Sequence, residues 1–219
     1  MFIGHYALAL AAKRAAPRTS LGTLFLAVQL ADMLWPVLLL TGWERVRIVP
    51  NPDPFLNFVF DAYPISHSLL ALIAWGVVFA LLYRMRTGYA PGALVVALGV
   101  VSHWVLDVVV HRPDMPLYPG GPKLGLGLWN SVTGTVVIEG VMLLAGLWIY
   151  LRTTRARDGV GRYGFSALLV VVTLSYVASI FGPPPPSTLA LGIGGIVFGW
   201  LFVAWAARAD RHREAVYSS

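Results

Sequence analysis

The chain has 219 residues, of which 58% are hydrophobic and only 12% are charged. Its mean hydropathy is +0.72. Soluble domains carry about 25% charged residues, so this composition excludes a water-soluble fold. The chain has no cysteine, which excludes disulfides and thiolate metal ligands. The net charge of +6 comes from basic residues beside apolar segments. We therefore assign that charge to the surface of a lipid bilayer and expect no nucleic-acid partner.

The first apolar stretch, residues 1–12, is too short to cross a bilayer, because a hydrocarbon core of ~30 Å needs ~20 residues. We predict a short helix that is half inserted or lies at the interface, closed by Lys13 and Arg14. Insertion would raise His5 about 12 Å above Lys13. The alternative is an amphipathic anchor on the inner surface. Basic residues follow this stretch, the reverse of a signal peptide, so we expect no cleavage.

Six longer apolar segments follow, separated by segments rich in proline and glycine. They predict an all-α integral membrane protein with about six transmembrane helices in a single domain, residues 1–219. The last two spans lack ionisable residues, so residues 151–219 are predicted to be two scaffold helices, and residues 1–150 to carry the site. The predicted spans are 21–41, 64–83, 90–110, 133–150, 164–181 and 188–207.

The loops on the two sides of the predicted membrane differ in positive charge, and cytoplasmic loops are the richer in lysine and arginine. The poorer side has only four such residues, Arg45, Arg47, Arg112 and Lys123, and the other side has twelve. This asymmetry predicts a multi-pass membrane protein with both termini in the cytoplasm.

Ionisable residues inside spans are costly and usually face the interior of a bundle. A rise of ~1.5 Å per residue places those of the first four spans about 17 to 25 Å above the cytoplasmic ends, in one slab. Any single one is readily explained as a hydrogen-bonded core group, but divalent cations would satisfy several together. We therefore predict a metal site. The residues are Asp32, His67, His103, Asp107 and Glu139.

His103, Asp107 and His111 follow one another at intervals of four residues, so they form one slowly turning stripe on a helix. A His-x-x-x-Asp pair offers one nitrogen and one oxygen to the same ion, which favours zinc, with manganese or magnesium as alternatives. Just beyond the span, His111 is a candidate proton shuttle and Arg112 a candidate clamp for a substrate anion. Asp61 is either a partner of His67 or the cap of its helix.

Short motifs in residues 1–150 resemble a bacterial inner-membrane family of predicted metal-dependent hydrolases, the family that includes the LexA-regulated member. The similarity lies in Gly4-His5, in Asp32 with Pro36, in Ser66-His67-Ser68, and in Ser102-His103 followed by Asp107. The resemblance implies a divalent metal held by His5, Asp32, His67, His103 and Asp107. It also implies hydrolysis, and the His-x-x-x-Asp element is similar to that of zinc-dependent phospholipases C.

The function predicted from these observations is metal-assisted hydrolysis of a phosphoester in a lipid or lipid-linked substrate. Glu139 or His111 would serve as the general base or acid, and Arg112 would hold the anion. One alternative is a divalent metal-ion carrier or sensor, which should show polar groups continuing to both faces. Another is a b-haem protein with His67 and His103 as axial ligands. Substrate, number of metal ions and oligomeric state stay open.

Overall fold

A computed structural model describes residues 1–216. The chain folds as a helical bundle, which confirms the predicted all-α membrane architecture. Five helices are long and apolar enough to cross a bilayer, or six if a bent pair counts as one span, within the described residues. The helices are α1 (Ile3–Ala15), α2 (Leu21–Val28), α3 (Leu30–Leu40), α4 (Pro64–His67), α5 (Leu69–Thr87), α6 (Ala90–Val110), α7 (Val132–Thr153), α8 (Phe165–Phe181) and α9 (Thr188–Arg211).

Two predicted spans are interrupted. The span predicted over residues 21–41 bends by 56° between α2 and α3, at Gln29. The span predicted to begin at residue 64 begins instead at Leu69, because Ser68 is extended and its hydroxyl accepts a hydrogen bond from the backbone N–H of Ala71. Ser68 therefore caps α5, and His67 lies on the separate turn α4.

The N-terminal helix α1 lies inside the bundle, where it packs against α2, α6 and α7. His5, Ala9 and Leu10 are fully buried. The backbone of Ala7 comes so close to Gly146 on α7 that a side chain at position 146 would collide with it. This packing confirms the inserted helix and excludes the surface anchor.

A buried ion pair holds the other end of α1. Lys13, which we expected at the membrane surface, is 5% exposed, and its Nζ lies 2.6 Å from Oδ2 of Asp210 on α9. The same carboxylate accepts hydrogen bonds from the hydroxyl of Tyr150 and the backbone N–H of Leu21, each at 3.0 Å. This network ties α1, α2, α7 and α9 together at the end opposite His5.

Short antiparallel ladders close the two ends of the bundle. At the end that carries His5, β1 (Arg45–Ile48) pairs with β2 (Phe58–Ala62), and β3 (Met115–Pro116) pairs with β4 (Lys123–Leu124). At the opposite end, β5 (Thr154–Ala156) pairs with β6 (Arg213–Ala215). The loops at the first end bring side chains over the polar interior described next.

Helix α9 packs closely along α3 through its glycines. A side chain at Gly195 would meet Pro36, and one at Gly199 would meet Met33. This contact fixes α3, and with it Asp32, against the rest of the bundle.

Candidate metal centre

Asp107 lies at the centre of the first group of polar side chains. His103 precedes it by one turn of α6, and the His103 Nε2 lies 3.1 Å from Asp107 Oδ2. His5 approaches from α1, with its Nε2 3.0 Å from Asp107 Oδ1. All three side chains are buried, and their donor atoms lie within 4.8 Å of one another.

A second group shares His103. The Oδ1 atom of Asp32 lies 3.4 Å from Nε2 of His67 and 3.8 Å from Nε2 of His103. The Asp32 side chain is 42% exposed, so this carboxylate opens toward space that a substrate or water can reach. The five residues whose ligand role the family resemblance implies are therefore brought together.

The contacts of His103 leave one ring nitrogen free to bind a cation. Its Nδ1 donates to the backbone carbonyl of Val28, at 2.7 Å. That carbonyl belongs to the last turn of α2, where carbonyls lack helical partners. In the neutral ring the Nε2 atom therefore keeps its lone pair, and it is buried without a hydrogen-bond partner in residues 1–216. A single free nitrogen can ligate a cation in only one of the two groups at a time.

His67 is held in the same tautomer by a carboxylate that the sequence interpretation missed. Its Nδ1 lies 2.6 Å from the hydroxyl of Ser66, which donates to Glu44 at 2.5 Å. Glu44 is fully buried and also accepts hydrogen bonds from the backbone N–H groups of Ile65 and Ser66. Because the Ser66 proton goes to Glu44, the hydroxyl accepts from His67, whose Nε2 is left to face Asp32.

Asp61 plays neither of the roles considered for it. Its carboxylate accepts two hydrogen bonds from the guanidinium of Arg47, at 2.8 and 2.9 Å, across the β1–β2 ladder. These hydrogen bonds lower the pKa of the exposed Asp61 carboxyl. Ser68 caps the span instead, and Glu44 is the carboxylate linked to His67.

Glu139 on α7 forms hydrogen bonds with the start of α1. Its Oε2 accepts the backbone N–H groups of Phe2 at 2.8 Å and Gly4 at 3.0 Å, groups that a helix start leaves without partners. Its other oxygen, Oε1, is buried and has no hydrogen-bond partner in the described chain. Glu139 therefore positions the turn that carries His5 and keeps one oxygen free.

His111 lies at the edge of the centre, just after α6 ends. Its Nδ1 is 2.9 Å from Oδ1 of Asp114, and its Nε2 is 3.9 Å from Oδ2 of Asp107. The hydroxyl of Tyr63 also donates to Asp114. Burial lowers the pKa of His111, which favours the neutral ring. Asp114 thus fixes the proton on Nδ1 and leaves Nε2 as a potential proton acceptor.

A cavity of about 230 Å³ adjoins the centre. Arg112 is exposed and is not part of the cavity wall formed by residues 1–216, so the structure does not bring the predicted anion clamp to the centre. Five of the eight predicted site residues line the cavity, together with a larger set of apolar and aromatic side chains. The wall comprises Met1, Phe2, Asp32, Trp35, Pro54, Phe55, Phe58, Phe60, His67, Asp107, His111, Trp129, Glu139, Ser179 and Leu191.

Comparison with known proteins identifies a family. A family model described as YdjM inner membrane protein matches residues 1–183. The matched region contains every residue of the candidate centre and extends through α8. No curated protein and no solved structure matches the chain.

Proposed function

The chain belongs to the YdjM inner membrane protein family, and from its histidine and aspartate centre we propose that it is a metal-dependent hydrolase of lipid phosphoesters. The observation that carries the proposal is the position of His103. Its Nε2 is buried between the carboxylates of Asp32 and Asp107, without a hydrogen-bond partner in residues 1–216, while Nδ1 is held by a backbone carbonyl. A buried lone pair beside two carboxylates fits a cation.

The proposed ligands are His5, Asp32, His67, His103 and Asp107. This mixture of imidazole and carboxylate suits zinc, with manganese or magnesium as alternatives. When bound, the cation supplies Lewis acidity, polarising the phosphoryl oxygen and making water more acidic. Glu44 and Ser66 orient His67, and Val28 orients His103, so both rings present Nε2.

We assign proton transfer to His111. Its Nε2 takes a proton from the water that attacks phosphorus, and Asp114 stabilises the charged ring through Nδ1. The phosphorus–oxygen bond to the leaving alcohol breaks, and the alkoxide receives the proton from His111. The products are the phosphate and the alcohol. Glu139, with its free Oε1, is the second candidate for this role.

The alternatives fit the described residues less well. A carrier needs ligands that continue through the bundle, but the far end of α1 is closed by the buried Lys13–Asp210 pair. A haem protein needs an open plane beside its axial histidines. Instead, the ring of His103 stacks on that of His5, with centroids 3.9 Å apart, and faces two carboxylates.

A phosphoesterase screen tests the proposal. Detergent-purified protein supplied with zinc, manganese or magnesium is offered soluble phosphate esters and dispersed phospholipids. We expect metal-dependent hydrolysis that falls by about 100-fold or more in His111→Ala. His212→Ala should leave the rate unchanged, because His212 pairs with Asp158 on the opposite end. Metal-loaded protein that hydrolyses no phosphoester would contradict the proposal.

A further inference from the structure

The cavity beside the centre has two kinds of wall. Part of it carries the polar groups of Asp32, His67, Asp107 and His111. Much of the rest is aromatic, with residues from α3, from strand β2 and from the turns at residues 54–56 and 128–130. We name this aromatic part the aromatic pocket, and it consists of Trp35, Phe55, Phe58, Phe60 and Trp129.

The cavity also reaches the side of the bundle. Ser179, near the end of α8, and Leu191, in the first turn of α9, both belong to its wall. Ser179 is exposed, and so are Phe181 at the end of α8 and Leu189 at the start of α9, at 84% and 59%. In a membrane these side chains face lipid near the ends of two spans. The presence of Ser179 and Leu191 in its wall indicates that the cavity extends to the side of the bundle between α8 and α9.

Two hydrogen-bond donors in the aromatic pocket have no acceptor. The indole Nε1 atoms of Trp35 and Trp129 are buried and unpaired within residues 1–216. An indole N–H can only donate, so each group requires an oxygen from elsewhere. The two rings flank the centre, since the Trp129 ring lies 4.1 Å from that of His111 and the Trp35 ring 6.3 Å from that of His67.

We propose that the cavity binds a membrane amphiphile with a phosphate headgroup and an aliphatic tail. The headgroup oxygens accept hydrogen bonds from the indole N–H groups of Trp35 and Trp129. The tail extends between α8 and α9, where it contacts Ser179 and Leu191. The choice of phosphate rests on the proposed function, whereas the donors and the lateral opening are independent of it. A lipid occupant follows from the apolar wall and from the opening at membrane-facing side chains. Neutral indole donors thus take the place of Arg112, which lies outside the cavity.

The test uses a ligand that cannot be hydrolysed. Binding of tritiated hexadecylphosphonate to metal-loaded protein in phosphatidylcholine nanodiscs is measured by scintillation proximity, with excess unlabelled ligand as the blank. We expect Trp35→Phe and Trp129→Phe each to weaken binding about ten- to hundredfold, because each loses one hydrogen bond to a charged group. The control is Trp148→Phe, since Trp148 is 61% exposed on α7, outside the cavity.

The tail path is tested with a matched pair of substitutions on α8. Ser179→Trp should block the lateral opening and weaken binding at least tenfold. Ser166→Trp should not, although Ser166 is also exposed and its hydroxyl likewise donates to a backbone carbonyl of the preceding turn. Methylphosphonate, which has no tail, should compete at least a hundredfold more weakly, because buried methylene groups contribute to binding.

Unchanged binding in both tryptophan variants, or in Ser179→Trp, would overturn the inference, as would equal competition by methylphosphonate. Failure of the lipid site and failure of the proposed hydrolase give different results. Tight, tail-dependent binding without hydrolysis of any phospholipid would refute the hydrolase and leave the lipid site. Hydrolysis of soluble esters without specific binding of hexadecylphosphonate would refute the lipid site and leave a metal-dependent phosphoesterase.

Discussion

The Nε2 atom of His5 lies 3.0 Å from Oδ1 of Asp107, although 102 positions separate the two residues in the chain. The contact exists because α1 enters the bundle beside α6 and α7. Glu139 holds the first turn of α1 at one end, and the Lys13–Asp210 pair holds its last turn at the other. The N-terminal helix is therefore part of the candidate centre.

Removing the carboxylate of Glu139 is expected to loosen the start of α1. In Glu139→Ala the backbone N–H groups of Phe2 and Gly4 lose their acceptor, which costs about 1 to 3 kcal/mol per unsatisfied group. Hydrogen exchange of the peptide covering the first turn should accelerate. Glu214→Ala, at the exposed pair with Arg157, is the control. Unaltered exchange in Glu139→Ala would show that α1 is held by packing alone.

Glu44 is predicted to act on metal binding through His67. Glu44→Gln removes the charge that accepts the Ser66 proton, so His67 is no longer held in one tautomer. We expect a loss of about 10- to 100-fold in metal affinity, measured by competition with a chelator. Ser66→Ala should have a similar effect, and Asp61→Asn, on the exposed β1–β2 ladder, should have none. If Glu44→Gln and Ser66→Ala bind metal as tightly as Asp61→Asn does, Glu44 does not act on metal binding through His67.

The buried pair at the far end of α1 predicts a large effect on stability. Lys13→Met leaves the Asp210 carboxylate buried without its partner, so the free energy of unfolding should fall by about 3 to 5 kcal/mol. Arg14→Met, at the exposed neighbour, should change it little. Thermal unfolding in detergent measures both. Replacing both partners, in Lys13→Met with Asp210→Leu, should recover part of the loss. Comparable stability of Lys13→Met and Arg14→Met would contradict the assignment.

The sequence predicts the number and limits of the spans well because bilayer thickness imposes long apolar runs. The span 90–110 coincides with α6. The interruptions are harder to predict. No proline or glycine lies next to Gln29, where α2 and α3 diverge. Ser68 begins an apolar run in the sequence, and only the structure shows that its backbone is extended and that it caps α5. At the first break the carbonyl of Val28 accepts a hydrogen bond from His103, a tertiary contact, whereas the second is a local cap.

The candidate centre was predictable where polar residues interrupt apolar runs. Asp32, His103 and Asp107 stand out in this way and do meet in the structure. Glu44 was missed because it lies just past the predicted span, where a carboxylate is unremarkable in sequence. Arg112 was expected at the centre because it follows His111. The turn after α6 directs His111 inward to Asp114 and leaves Arg112 exposed, a choice that sequence spacing does not encode.

Membrane orientation can be tested with reporter fusions. Tyr118 is exposed in the β3–β4 segment, at the end that carries the centre, and Arg157 follows β5 at the opposite end. A fusion after Tyr118 should report a location outside the cytoplasm, and one after Arg157 a cytoplasmic location, because the positively charged loops cluster at the second end. Both fusions on one side would contradict the predicted topology.

Elemental analysis of the purified protein tests the central claim most directly. We expect near-stoichiometric divalent metal in the native protein and in His212→Ala, whose ring lies at the opposite end. His103→Ala should lose most of the metal, and His5→Ala should lose about as much as His67→Ala. Native protein without metal, or His103→Ala and His5→Ala with undiminished metal, would show that these histidines and aspartates do not form a metal centre.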